Sequence, residues 1–268
     1  MAAQSKPHHS TVSPLDHDRM NDAAELMLRA RRECNPMHDL PENLRPANLH
    51  EAYALQDIVA MAFAPLGGWK IGAPSPDAPP LFSALPLWGG YAHSGQTISH
   101  FYRRLRGIEA EIAFCLAHDL PPRRNPYTRD EVVAAIASVH PAIELVESAF
   151  ADPDKANRFS VIGDLQSNGG LAVGPPCADW RSIDLSQENV AVYVDGEVRF
   201  DAAGANTAGP DLLRLLVWLA NEGAVRTGGL RRGDWITTGS WSGKTFAMPG
   251  QTARVSFAHI GELRIRFE

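Results

Sequence analysis

Cysteine is scarce in this sequence: three in 268 residues, at Cys34, Cys115 and Cys177. An odd, scattered set builds neither a disulfide framework nor a Cys-x-x-Cys zinc site, so a reducing cytoplasmic setting is expected. Long apolar runs are missing as well. None approaches the roughly 20 residues of a membrane span, and the N-terminus has no compact apolar stretch of the secretion-signal kind. Positive charge is not in excess either, with 25 Lys and Arg against 31 Asp and Glu and a formal net charge of −6. That balance argues against a nucleic-acid partner. There is no internal repeat and no Gly-x-Ser-x-Gly nucleophile elbow. What is there, 44% hydrophobic and 21% charged residues, describes a globular chain long enough to bury a sizeable core.

The order of patterns along the chain divides it into three. Residues 1–20 are polar and without apolar periodicity, and they read as a disordered tail. Residues 21–66 form a small helical N-terminal cap. Within it Asn21 to Cys34 carries Ala24, Met27, Leu28 and Arg31 at helical spacing, and Asn48 to Phe63 carries Ala52, Leu55, Val59 and Phe63. Asn48 and Glu51 are placed as a capping arrangement for the second helix. Residues 67–268 are a β-rich body. Strands are predicted at Trp69–Gly72, Ile108–Leu116, Thr237–Gly239, Ala253–Phe257 and Leu263–Phe267, with a hairpin turning at Asp195-Gly196. Two helices interrupt it: Thr128 to Val139, opened by a Thr128/Glu131 capping box, and Leu212 to Glu222, between Pro210 and Gly223. The fold class is α+β.

Chemistry concentrates in few places. On a strand, Glu109 and Glu111 share one face, because side chains alternate with a period of two, and their backbone positions lie about 6–7 Å apart. Glu144 lies in another strand signal, Pro141 to Leu145. A Glu-x-Glu pair is otherwise the normal solvated face of a half-exposed strand. Three carboxylates with no histidine or thiolate beside them suit a hard, oxygen-liganded ion, Mg²⁺ or Mn²⁺, rather than zinc. Lys70 is framed by Gly68 and Gly72, which permit close backbone approach. The turn Asp164 to Gly170 has residue types suited to hydrogen-bonding a small ligand, as any polar turn does. The stretch Gly239 to Thr245 fails as a phosphate loop: three residues rather than four separate its glycines, and no helix follows. The arginine clusters Arg103-Arg104, Arg123-Arg124 and Arg231-Arg232 read as solvated loops.

Taken in order, several segments resemble the fumarylacetoacetate hydrolase superfamily, in its 2-keto-4-pentenoate hydratase and 4-oxalocrotonate decarboxylase branch. They are Ala52 to Gln56, Gly68 to Gly72, Ile108 to Phe114, Pro141 to Glu144, Trp218 to Asn221, Gly233-Asp234 and Thr238 to Ser240. The resemblance implies a mixed β-roll core, a divalent metal on Glu109, Glu111 and Glu144, and an active-site lysine at Lys70. It also implies a small 2-oxo acid substrate, often from aromatic compound catabolism, and a homo-oligomer. Gln166, Ser167 and Ser240 are the candidates for substrate hydrogen bonds. Hydration is the leading activity. A decarboxylase, a C–C hydrolase, or an inactive metal-binding subunit that supports a partner enzyme are the alternatives. Three features depart from the branch: the proline-rich loop from Ala73 to Tyr91 has Asp77 as its one acid, Asp164 to Gln166 looks closer to the hydrolases, and Gly209-Pro210 stands where the family has His-Pro.

Overall fold

The structure, a computed structural model, describes residues 16–86, 92–99 and 104–268. Most of the expected tail, the end of the proline-rich loop and Arg103 lie outside the described residues. In chain order the elements are α1 (His17–Arg32), α2 (Leu49–Met61), β1 (Leu66–Gly72), β2 (Leu81–Pro86), β3 (Ala92–His93), β4 (Thr97–Ile98) and β5 (Gly107–Leu116). There follow α3 (Arg129–Ala134), β6 (Ile136–Val146), α4 (Arg158–Gly163), β7 (Asn168–Val173), β8 (Asn189–Val194) and β9 (Glu197–Ala203). The chain ends with α5 (Leu213–Trp218), β10 (Trp235–Thr237), β11 (Thr245–Phe246), β12 (Thr252–Phe257) and β13 (Gly261–Phe267).

Two sheets form the body. The larger has the order β2-β1-β10-β5-β6-β7-β3, with β11 also pairing β5, and the smaller has the order β4-β13-β12-β8-β9. The larger sheet curls until β2 approaches β7, which gives the roll. β5 is central to it. Ile108, Ala110, Ile112 and Phe114 face the main core and are fully buried. On the opposite face Ala113 joins Leu85, Ala142, Leu171 and Val173 in a small second apolar cluster, which floors the region where the acidic residues stand. Burying each of these isoleucine, leucine, valine and phenylalanine side chains contributes about 1.5–3 kcal/mol. Close packing of β1 on β10 depends on Gly68: a Cβ there would lie 1.8 Å from the Trp235 carbonyl oxygen.

Most predicted elements are present with shifted ends. α1 begins at His17, inside the stretch read as tail, because Asp16 caps it by accepting from the Arg19 N–H and Met20 packs fully buried. α2 is capped by Asn48, whose side chain accepts from the Glu51 N–H, while Glu51 turns to the Ala47 N–H and Arg19. The Thr128 capping box is complete, but its helix ends at Ala134. Beyond it Ile136, Ser138 and Val139 pair with β5 instead, so the non-local ladder overrides the local helical signal. The last helix also runs past Gly223, through a π-turn and a 3₁₀ turn, and stops at Gly228, which has φ +90°. Gly223 is instead a packing position, where a Cβ would meet the Leu219, Trp218 and Phe82 side chains. The Asp195-Gly196 hairpin is as expected, both residues having positive φ.

Candidate metal centre

Strand pairing assembles the site. In the antiparallel register of β5 and β6, Glu109 lies directly opposite Glu144, and Glu111 is two residues further along the same face. The three side chains each bring a carboxylate oxygen within 4.8 Å of the others. Glu144 is fully buried, Glu111 is 1% exposed, and Glu109 is half-buried at the rim. The edge-strand alternative for Glu-x-Glu is therefore excluded: β5 is a central strand and this face is covered.

Each carboxylate is held from a different element. Glu144 Oε1 accepts from Lys70 Nζ at 2.6 Å and from Asn168 Nδ2 at 2.9 Å. Glu111 Oε2 accepts from the Gly239 N–H at 2.9 Å. Glu144 Oε2 is buried with no hydrogen-bond partner among the described residues, an expensive condition for an anion's oxygen unless something else satisfies it.

The electrostatics point the same way. Burial, then the neighbouring Glu144 charge, push the Glu109 carboxyl up to about 6. The same two causes hold Glu111 well above the usual carboxylate range. Burial disfavours the Lys70 cation, but the fields of Glu144, Glu109 and Glu111 outweigh it and hold its pKa above the ordinary lysine value. Three carboxyl groups face one ammonium in a low-dielectric pocket, a deficit of two positive charges when all three are ionised. A dication with oxygen preference matches that deficit in charge, donor type and available lone pairs.

Lys70 projects from β1, and its Nζ also donates to the Gln166 carbonyl at 3.1 Å. That carbonyl is presented by an unusual turn. Leu165, Gln166 and Ser167 are all left-handed, with φ of 55°, 50° and 62°, at about 1–2 kcal/mol each for residues with a Cβ. Such a turn persists only if its surroundings hold it. Arg31, 4% exposed, reaches in from α1. It donates from Nε to Asp164 Oδ1 (2.7 Å) and from its terminal nitrogens to the carbonyls of Asp164, Asn168 and Glu147. The other Asp164 oxygen accepts from Ser148 Oγ and the Ala149 N–H.

Of the predicted residues, Lys70, Glu109, Glu111 and Glu144 are brought together. Gln166 meets Lys70 through its main chain, and its buried Nε2 has no partner among the described residues. Ser167 is bonded through its main chain, to the Asp164 carbonyl and from the Glu147 N–H. Ser240 lies on the loop beyond Gly239, and its hydroxyl contacts the Ser242 N–H and the Gly243 carbonyl rather than a carboxylate. Asn168 and the Arg31–Asp164 pair were not anticipated as site residues. The available signal was Arg31 itself, a cation at an apolar-stripe position of its helix, which buried side chains of that type occupy only when paired.

Residues 92–268 match the family profile described as "Fumarylacetoacetate (FAA) hydrolase C-terminal". The chain belongs to the fumarylacetoacetate hydrolase family. Within this family it is 28% identical over 262 residues to the 2-keto-4-pentenoate hydratase of Paraburkholderia xenovorans (strain LB400), an alignment covering 92% of this chain and 94% of that one. It is 30% identical over 161 residues to a 4-oxalocrotonate decarboxylase of Pseudomonas putida, covering 60% of this chain and 59% of the other. The 4-oxalocrotonate decarboxylase from Pseudomonas putida G7, solved with magnesium and adipate, shares the fold at a TM-score of 0.79 and 23% identity, over 95% of this chain and 99% of that one. Lys70 and Arg31 precede the matched family segment, so α1 and β1 supply part of the site from outside it.

Proposed function

We propose that this protein is a divalent-metal-dependent hydro-lyase that adds water to a small unsaturated 2-oxo acid of the 2-keto-4-pentenoate type. The observation that carries the reading is the buried triad Glu109, Glu111 and Glu144, with an unsatisfied Glu144 oxygen, in a chain related to a named hydratase along nearly its whole length.

In this reading the three glutamates hold the ion, Mg²⁺ or Mn²⁺. When bound, such an ion supplies Lewis-acid polarisation of a 2-oxo carbonyl. Lys70, kept cationic by the surrounding carboxylates, pairs with the substrate carboxylate or carries a proton at Nζ. Its position is set by Glu144 and the Gln166 carbonyl. Gln166, through its unpartnered amide, together with Ser167 and Ser240, is the candidate set for ligand hydrogen bonds. The conjugated system takes a proton at its far carbon and then water at the adjacent one. A cytoplasmic setting fits three free thiols, and no helix among the described residues is long and apolar enough to cross a membrane. Homo-oligomerisation, and association with a partner enzyme, belong to the same proposal.

Decarboxylation is the second reading, favoured by the 30% identity to a 4-oxalocrotonate decarboxylase. The same carbonyl polarisation serves loss of CO₂ as well as gain of water. The test is ultraviolet loss of a conjugated 2-hydroxydienoate with Mg²⁺ and with chelator, followed by mass analysis of the product. Metal-dependent loss with water gained supports hydration, and CO₂ lost supports the second reading. No turnover overturns the enzyme assignment and leaves the inactive-subunit alternative, and turnover indifferent to chelation overturns the metal requirement.

A further inference from the structure

Ser83, Lys70 and Thr237 lie side by side on the neighbouring strands β2, β1 and β10. Thr237 is in turn opposite Ala113 of β5, so all three side chains enter the roll on the face that carries Glu111. Beneath them lies the apolar floor of Leu85, Ala113, Ala142, Leu171 and Val173. Ser83 and Thr237 are both fully buried, but their hydroxyls differ. Ser83 Oγ donates to the Ala84 carbonyl at 3.3 Å. On the other face of β10, Thr238 Oγ1 donates to the Ile112 carbonyl at 2.9 Å. Thr237 Oγ1 has no hydrogen-bond partner among the described residues. Valine would fill nearly the same space without stranding a hydroxyl, and a buried hydroxyl left unsatisfied costs stability.

Lys70, on the adjacent strand, has a donor to match. An ammonium carries three N–H groups, and two of them are used, on Glu144 Oε1 and the Gln166 carbonyl. A water molecule suits both groups: it accepts from the third Lys70 N–H and donates to Thr237 Oγ1. It then keeps a lone pair and a second O–H, and the apolar floor offers nothing else to bind them. We propose that Thr237 is a positioning residue that, with Lys70, holds the water that adds to the substrate. This rests on the hydration reading given above. In that step the water oxygen bonds to the carbon adjacent to the protonated one, and the C=C π bond breaks. The water's proton ends on the carbon beside the oxo group, so water is the one co-reactant. The earlier protonation at the far carbon does not involve Thr237.

The test compares Thr237→Val and Thr237→Ser with the wild type, as full chains, in two measurements. Thermal unfolding in chelator reads the cost of the stranded hydroxyl, and Thr237→Val should melt about 2–4 °C higher. Turnover of a conjugated 2-hydroxydienoate with Mg²⁺ is followed by ultraviolet loss of the dienol and by mass analysis of the hydrated product. In Thr237→Val, dienol loss should keep its wild-type rate and KM. The rate of water gain should fall about tenfold, the scale of one hydrogen bond, so that the unsaturated oxo acid accumulates. Thr237→Ser, which keeps the hydroxyl, should restore most of the hydration. A merely structural role would not alter the ratio of hydrated to unsaturated product. Thr237→Val that hydrates at the wild-type rate, slows both steps equally or melts lower than wild type overturns the proposal and leaves the hydration reading standing. A wild type that turns over with loss of CO₂, or not at all, overturns both.

Discussion

Replacing Glu109 with glutamine should stabilise the metal-free protein while removing its response to metal. Burial and the adjacent Glu144 charge lift the Glu109 carboxyl from 4.5 to about 6. At about 1.4 kcal/mol per pKa unit, the folded state carries a penalty of about 2 kcal/mol from this group once it is ionised. The sign follows from the raised value. The folded state binds the proton more tightly than the unfolded chain, so the associated stability is present below about pH 4.5 and is lost as pH rises through about 6. Glutamine does not titrate, so the variant should lose this part of the pH dependence. In chelator at pH 8 it should melt about 4 °C higher, from the roughly 2 °C per kcal/mol expected at this chain length. Saturating Mg²⁺ should raise the wild-type melting temperature, by about 2.7 kcal/mol of stabilisation at a hundredfold excess over Kd, and should raise that of the variant far less. Thermal unfolding at pH 5 and pH 8, with chelator and with Mg²⁺, measures all four quantities. A variant no more stable than wild type in chelator at pH 8, or one keeping the full metal-induced shift, would refute the reasoning.

Three other expectations follow from named contacts. Arg31→Met leaves the Asp164 carboxylate buried without its cation and should lower unfolding free energy by about 3–5 kcal/mol, read from the urea midpoint; a loss under about 1 kcal/mol contradicts the clamp. Lys70→Met should reduce kcat by about 10²-fold or more, yet retain Mn²⁺ binding in a paramagnetic-resonance titration, because the three carboxylates survive; loss of both would make Lys70 a folding residue. Gly68→Ala places a methyl into the Trp235 carbonyl and should cost more than about 3 kcal/mol. An unchanged melting temperature would show that β1 and β10 can separate.

Local signals carried much of this architecture. The period-two placement of Glu109 and Glu111, the Asn48 and Thr128 caps and the Asp195-Gly196 turn depend on neighbours within a few residues, so they are legible in one dimension. Where local and non-local preferences competed, the local reading overran: Ile136 to Val139 continue an apolar helical pattern but are captured by the β5 ladder. The pairing of Glu109 with Glu144 was accessible from the residues only through family resemblance, since strand register is settled by distant packing. The Arg31–Asp164 clamp joins positions 133 residues apart, and no spacing rule connects them. So the chain's own residue order determined which side chains face together on each element and what kind of ion they suit. Tertiary structure alone decided that a helix outside the matched family segment braces a left-handed turn, and that the turn's carbonyl receives Lys70. Burying charges far apart in sequence is favourable only where their partners converge, and convergence is a property of the folded chain.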